Sequence, residues 1–175
     1  MTRMAVIGVV SDTHLPRFGR RLSPALVQGL AAAGLQQILH AGDITEAFAL
    51  DLLEEIAPVI AVAGNNDGSA LLERLGDRRI LEIEGRRIGL THGHLGLGRT
   101  TPERARRLFG DDGVELVVFG HSHQALWVPP QQGSPALLNP GSPTDGRRQR
   151  TRSFAVLQIT GETIDARIVR LDDGS

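Results

Sequence analysis

Apolar residues in this chain fall in short runs broken by charged and glycine-rich segments, and the period of each run assigns an element. Met4 to Val10 is a continuous, β-branched-rich run, which predicts a strand buried on both faces. Ser23-Pro24 reads as an N-cap with proline in the first helical turn, opening a helix from Pro24 to about Ala33 that Gly34 closes. Gln37 to Leu39 predicts a second strand, Ala47 to Ala57 a helix that Pro58 breaks, and Val59 to Ala63 a third strand. This βαβαβ alternation predicts parallel strands joined by crossover helices.

The second half changes character. Arg79 to Glu84 and Arg87 to Thr91 flank Glu84-Gly85-Arg86 and predict a hairpin. A helix over Pro102 to Phe109 leads to the apolar strand Val114 to Phe119. Strand-like runs then follow at Ala125 to Val128, Pro135 to Asn139, Phe154 to Thr160 and Ile164 to Arg170, the last two as a hairpin closed at Gly161-Glu162. A parallel half followed by an antiparallel half predicts two packed sheets with helices outside. The length suits one domain over residues 1–175, with 171–175 expected as a frayed tail.

Composition narrows the chemistry. Net charge is −1, so no global field recruits nucleic acid or an anionic membrane, and the apolar fraction of 41% is ordinary for a globular protein. The absence of cysteine excludes disulfides, thiolate metal sites and a cysteine nucleophile. The first apolar run is too short for a membrane span or a secretory segment, so a cytoplasmic location is expected. All the basic side chains are arginine, a bias from which no function follows.

The polar residues best suited to bind metal cluster at the carboxyl ends of the predicted strands, where ligands bind in open α/β sheets. These junctions are Ser11-Asp12-Thr13-His14, His40-Ala41-Gly42-Asp43, Gly64-Asn65-Asn66-Asp67, His92-Gly93-His94 and Gly120-His121-Ser122-His123. All six histidines fall in them. In an extended segment residues i and i+2 project to one side, so Asp12 with His14, and His121 with His123, are each expected to converge on a cation. Carboxylate and amide oxygens mixed with imidazoles suit manganese, iron, zinc or cobalt better than calcium.

In this order the five blocks resemble the calcineurin-like metallophosphoesterase superfamily, and the short length with Asn139-Pro140-Gly141-Ser142 resembles its small bacterial and archaeal phosphodiesterase branch. The resemblance runs from about residue 6 to residue 159. It implies an α/β fold, a four-layer α/β/β/α sandwich of two mixed β-sheets flanked by helices, with the metal site at the strand carboxyl ends. It implies two divalent ions, Mn²⁺ foremost with Zn²⁺, Fe²⁺, Co²⁺ or Ni²⁺ as alternatives. Asp12, His14 and His123 would hold one ion, Asp43 would bridge, and Asn65, His92 and His121 would complete the second set. The implied reaction is phosphodiester hydrolysis by in-line attack of a hydroxide that two metals activate, with no phosphoenzyme.

One departure matters. Many superfamily phosphatases carry histidine after the ligand asparagine, where it can protonate the leaving group; here that residue is Asn66. Without a strong acid, diesters with good leaving groups are favoured over alkyl monoesters. Further candidates are Asp67 and His94 for catalysis, Asn65, Asn139 and Ser142 for phosphate, and His40 for fixing a ligand loop. Arg17, Arg20 and Arg21, and Arg147, Arg148, Arg150 and Arg152, form two clusters able to reach a site rim. The expected partner is a small phosphoester rather than a membrane or nucleic acid, since stacking aromatics are scarce, and a homodimer is allowed. Two rivals share the fold: a non-catalytic protein-binding scaffold like a retromer-coat subunit, and a nucleotide pyrophosphohydrolase or nuclease with the same metal centre.

Overall fold

A computed structural model describes residues 3–146 and 151–171. Ten strands and four helices are described: β1 Met4–Val10, α1 Pro24–Ala32, β2 Gln37–His40, α2 Phe48–Glu54, β3 Val59–Ala61, α3 Ser69–Leu75, β4 Arg78–Ile83, β5 Arg86–Thr91, α4 Thr101–Leu108, β6 Leu116–Val118, β7 Leu126–Val128, β8 Ala136–Asn139, β9 Arg152–Thr160 and β10 Ile164–Leu171. One sheet has the order β10-β9-β1-β2-β3 and the other β4-β5-β6-β8-β7.

Local chemistry sets the element ends. Ser23 caps α1 by accepting from the Leu26 N–H at 3.3 Å, with Pro24 in the first turn. Thr100 caps α4 in the same way from Glu103, whose carboxylate also pairs with Arg107 one turn on. β4 and β5 are closed by Glu84 and Gly85, both at positive φ (48° and 77°), the two-residue turn whose twist matches a hairpin.

Alternation along the strands sorts side chains into three apolar layers. Val10, Ile38, Phe154 and Val156 face α1, α2 and α3, meeting Leu26, Leu30, Leu50, Leu53 and Leu71. Ile7, Val9, Leu39, Leu157 and Ile159 of the first sheet meet Ile88, Leu90, Leu116, Val118 and Leu138 of the second. Val117 and Phe119 turn outward to Ala105 and Phe109 beside α4. The result is the four-layer α/β/β/α sandwich that the resemblance implied. Among the described residues no helix is long and apolar enough to cross a membrane.

Three expectations need correction. The second half is not uniformly antiparallel: β5, β6 and β8 run parallel, with antiparallel β4 and β7 outside them. The last hairpin, β9-β10, returns to the first sheet, where β9 pairs with β1, so both sheets are mixed. Leu171 is not frayed: it ends β10 paired with Arg152 and is buried in the helix-side core, while 172–175 lie outside the described residues. The helix α3 was not anticipated.

The layer between the sheets should dominate stability. Leu157→Ala, at a fully buried intersheet position, is expected to cost about 2–5 kcal/mol in urea denaturation. Leu97→Ala, at a side chain 80% exposed, should stay within about 0.5 kcal/mol.

Candidate metal centre

Asp12 and Asp43 follow β1 and β2 of the first sheet, and His92, His121 and His123 follow β5 and β6 of the second, so the site straddles the mouth of the sandwich. The side chains of Asp12, His14 and His123 offer ligand atoms within 4.8 Å of one another, as do those of Asp12, Asp43 and His92. Asp12 Oδ1 lies 3.2 Å from His123 Nε2 and 3.8 Å from both His14 Nε2 and His92 Nε2. Asp43 Oδ2 lies 3.3 Å from His92 Nε2 and 3.7 Å from His14 Nε2. Each carboxylate therefore reaches both groups.

Backbone carbonyls orient two of the imidazoles. His92 Nδ1 donates to Ala41 O at 2.7 Å, and His123 Nδ1 to Asp145 O at 2.9 Å. Each Nε2 then faces a carboxylate, an arrangement that suits a metal ligand. Asp12 Oδ2 is engaged by Ser11 Oγ at 2.7 Å and the His121 N–H at 3.0 Å, which leaves Oδ1 inward. Asp12 Oδ1 and His92 Nε2 are buried without a hydrogen-bond partner. Electron pairs converging on buried space fit a divalent cation, and the donor set of oxygen and imidazole fits the ions expected.

The titration behaviour agrees. Burial opposes ionisation of both carboxylates, but hydrogen bonds and neighbouring charge outweigh it: His123 and His92 hold the Asp12 pKa down, and His92 and Asn66 do so for Asp43. Burial lowers the pKa of His92, yet Asp43, 3.3 Å from its Nε2, and the charge of Asp12 prevail, and the net direction is up. Positive charge is thus favoured where a cation fits. Burial lowers the pKa of His14 and of His121, which favours the neutral rings that a metal would need.

The route to convergence differs from the one expected. Asp12, His14, His121 and His123 are not extended; their φ values are 57°, 46°, 68° and 58°, in the left-handed region, as is Asp43 at 58°. Asp12 and His14 meet through a tight turn beyond the end of β1, whereas His121 and His123 diverge, His121 toward His92 and His123 toward Asp12. Close packing accompanies them: a Cβ on Gly64 would lie 2.2 Å from Asp43 Oδ1, and one on Gly120 1.8 Å from Ser11 Oγ.

The remaining candidates separate by contact. His121 stands beside His92, ring centroids 5.1 Å apart, and His94 lies 5.4 Å from His92 with Nδ1 buried and unpartnered. Asn65 is exposed on the rim and makes no side-chain hydrogen bond among the described residues. Asn66 instead grips Asp43, donating from N to Oδ1 at 2.8 Å and from Nδ2 to Oδ2 at 2.6 Å. Asp67, a catalytic candidate from the sequence, is placed as a loop clamp: its oxygens accept from Thr45 N at 2.6 Å and Gly64 N at 2.7 Å. His40 is fully buried between Thr13 Oγ1 and the Gly42 N–H, the positioning place expected of it.

Asn139 and Ser142 do not offer donors to a phosphate. Both are fully buried beneath the site, with their polar atoms turned to the protein: Asn139 Nδ2 donates to Gly120 O at 2.9 Å and Ser142 Oγ to Asp12 O at 2.8 Å. They brace the ligand loops, and Thr144 adds a bond to Thr13 O at 2.9 Å. Sequence reasoning missed Ser11, Thr144 and Asp145 as supports; hydroxyls and a backbone carbonyl in a Ser-Pro-Thr-Asp turn carry no distinctive spacing. Arg17, Arg20 and Arg21 are exposed, Arg152 begins β9, and Arg147, Arg148 and Arg150 lie outside the described residues.

Comparison with known proteins agrees with this geometry. The sequence model of the calcineurin-like phosphoesterase superfamily domain matches residues 5–162. A probable metallophosphoesterase of Methanothermobacter thermautotrophicus is 39% identical over 165 residues, covering 94% of this chain and 92% of the relative. Vps29 from Entamoeba histolytica, solved in complex with zinc, superposes with a TM-score of 0.81 at 24% identity, over 97% of this chain and 94% of that one. An archaeal phosphodiesterase superposes with a TM-score of 0.72 at 24% identity, over 95% and 99%. At these identities the two structures speak for the fold.

Two outcomes follow from the supports. Asn66→Ala removes a donor that orients Asp43 and should weaken Mn²⁺ binding about 10–100-fold in titration calorimetry while the far-ultraviolet spectrum stays unchanged. Burial pushes His40 down to about 4 from its ordinary 6.5, so the unfolded chain takes up the proton first as pH falls. Metal-free protein should therefore lose stability between pH 6.5 and 4, with His40 contributing on the order of 3 kcal/mol at the limit. His40→Gln should flatten that slope in urea denaturation without abolishing it, because His14, His94 and His121 shift in the same direction.

Proposed function

The chain belongs to the calcineurin-like phosphoesterase superfamily, and from that premise we propose that it is a metal-dependent phosphodiesterase. The observation that carries the reading is the opposition of His92 Nε2 and Asp12 Oδ1, buried, unpartnered and 3.8 Å apart. In this reading Asp12, His14 and His123 hold one divalent ion, Asp43 is shared, and Asn65, His92 and His121 hold the second. When bound, two such ions supply Lewis acidity to the phosphoryl oxygens and bring a water within reach of ionisation at neutral pH.

The chain's own groups then account for orientation and selectivity. Ala41 O and Asp145 O keep His92 and His123 in the ligand tautomer, and Asn66 keeps Asp43 ionised and fixed. With both its donors on Asp43, Asn66 supplies no acid for the leaving group, so esters of acidic alcohols turn over best. Phosphodiesters with good leaving groups are therefore the proposed substrates, and Mn²⁺ the first ion to try.

The rival scaffold reading draws on the likeness to Vps29 and on Phe18 and Leu97, which are 41% and 80% exposed on loops that carry ligands. An assay separates the two. Bis-p-nitrophenyl phosphate should be cleaved in the presence of Mn²⁺, faster than the matching monoester, and Asp43→Asn should lower kcat/KM at least about a hundredfold. A folded protein that binds Mn²⁺ yet turns over neither ester would favour the scaffold; a faster monoester would sink the leaving-group argument built on Asn66.

A further inference from the structure

Beside the centre, the loop after β1, the β2–α2 loop and α3 line an open cleft of about 600 Å³. Its walls include Arg20, Thr45, Phe48, Leu71 and Arg74. The cleft adjoins the ligand loops: Thr45 follows Asp43 by two residues and its N–H is held by Asp67, and Gly68, also in the wall, follows Asp67 directly.

Three features define what fits. Arg20 and Arg74 are exposed and, among the described residues, neither forms an ion pair, so both guanidinium groups are open to an anion. The Arg20 guanidinium stands 5.2 Å from the centre of the Phe48 ring, so a cation and an aromatic face are presented together. Ala47, Ala70 and Leu71 supply an apolar surface beside them, and Glu46 is the acid in the wall, able to accept from a hydroxyl or amine. Two free guanidinium groups recognise phosphate, an aromatic face recognises a base, and the volume suits one nucleotide.

We propose that this cleft is a substrate subsite, receiving the end of a phosphodiester that lies away from the scissile bond. A nucleobase packs on Phe48 and a terminal phosphate sits between Arg20 and Arg74. The substrate class is thus a terminally phosphorylated dinucleotide. This rests on the phosphodiesterase reading and narrows it.

The test measures binding separately from turnover. Two dinucleotides with an uncleavable methylphosphonate linkage, one with a 5′-phosphate and one without, are titrated calorimetrically into Mn²⁺-loaded protein. The terminal phosphate should tighten binding about tenfold, and the Arg20→Gln/Arg74→Gln double variant should lose that gain. Phe48→Leu, which keeps an apolar side chain against the core, should weaken both dinucleotides about fivefold. Equal affinity for the two ligands in the unsubstituted protein, or a gain that survives the double variant, overturns the subsite even if simple diesters are cleaved. The expected pattern in a protein that cleaves no diester would keep the subsite and retire the catalytic reading.

Discussion

Buried electron pairs facing one another are the constraint on which this structure turns. Asp12 Oδ1 faces the Nε2 atoms of His14, His92 and His123, and Asp43 Oδ2 those of His14 and His92, at 3.2–3.8 Å. Such a set repels itself in a low-dielectric interior unless positive charge lies among them. The pull of the carboxylates on His92, which raises its pKa against burial, is one sign of that demand. A divalent ion among them would answer the same demand more strongly.

Holding the groups there takes support from every direction. Asp12, His14, Asp43, Thr45, His121 and His123 occupy left-handed backbone, which costs side-chain-bearing residues roughly 1 kcal/mol or more apiece. Ser142 and Thr144 tie down the carbonyls of Asp12 and Thr13, Asn139 that of Gly120, and Asp67 the amides of Thr45 and Gly64. Asp12 then reaches across to the His121 N–H, joining the first sheet to the second. The intersheet layer is therefore part of the site: sliding one sheet against the other would separate the acids from the histidines.

Much of this was legible in the chain. Strand runs ending in Asp or His placed the ligands at one end of both sheets, because a buried parallel strand must end where its polar residues begin. The support layer was not legible in the same way. Asn139 and Ser142 look like phosphate donors as residue types, and only burial and their turn toward backbone carbonyls show them to be braces. Left-handed turns at Asp12 and His14 escaped because the i, i+2 spacing also fits an extended strand. The helix α3 escaped because Ser69–Leu75 is short, and among its residues Leu71 alone is buried. The return of β9-β10 to the first sheet depends on pairing with β1 across most of the chain, which no local pattern encodes.

The two walls of the site divide its labour. The second sheet contributes imidazoles whose orientation is fixed by backbone carbonyls or by a packed neighbouring ring, and these suit ion binding and little else. The first-sheet loops carry the acids and, directly beyond them, Asn66 against Asp43, then Thr45, Phe48 and two exposed arginines. Replacing a proton donor by an amide at position 66 leaves Asp43 doubly hydrogen-bonded, which favours its charged form and so the cation. The same replacement removes help for a poor leaving group. Under the proposed phosphodiesterase reading, such a site would depend on its substrate to bring an acidic leaving group, and selectivity would fall to the loop around Asn66.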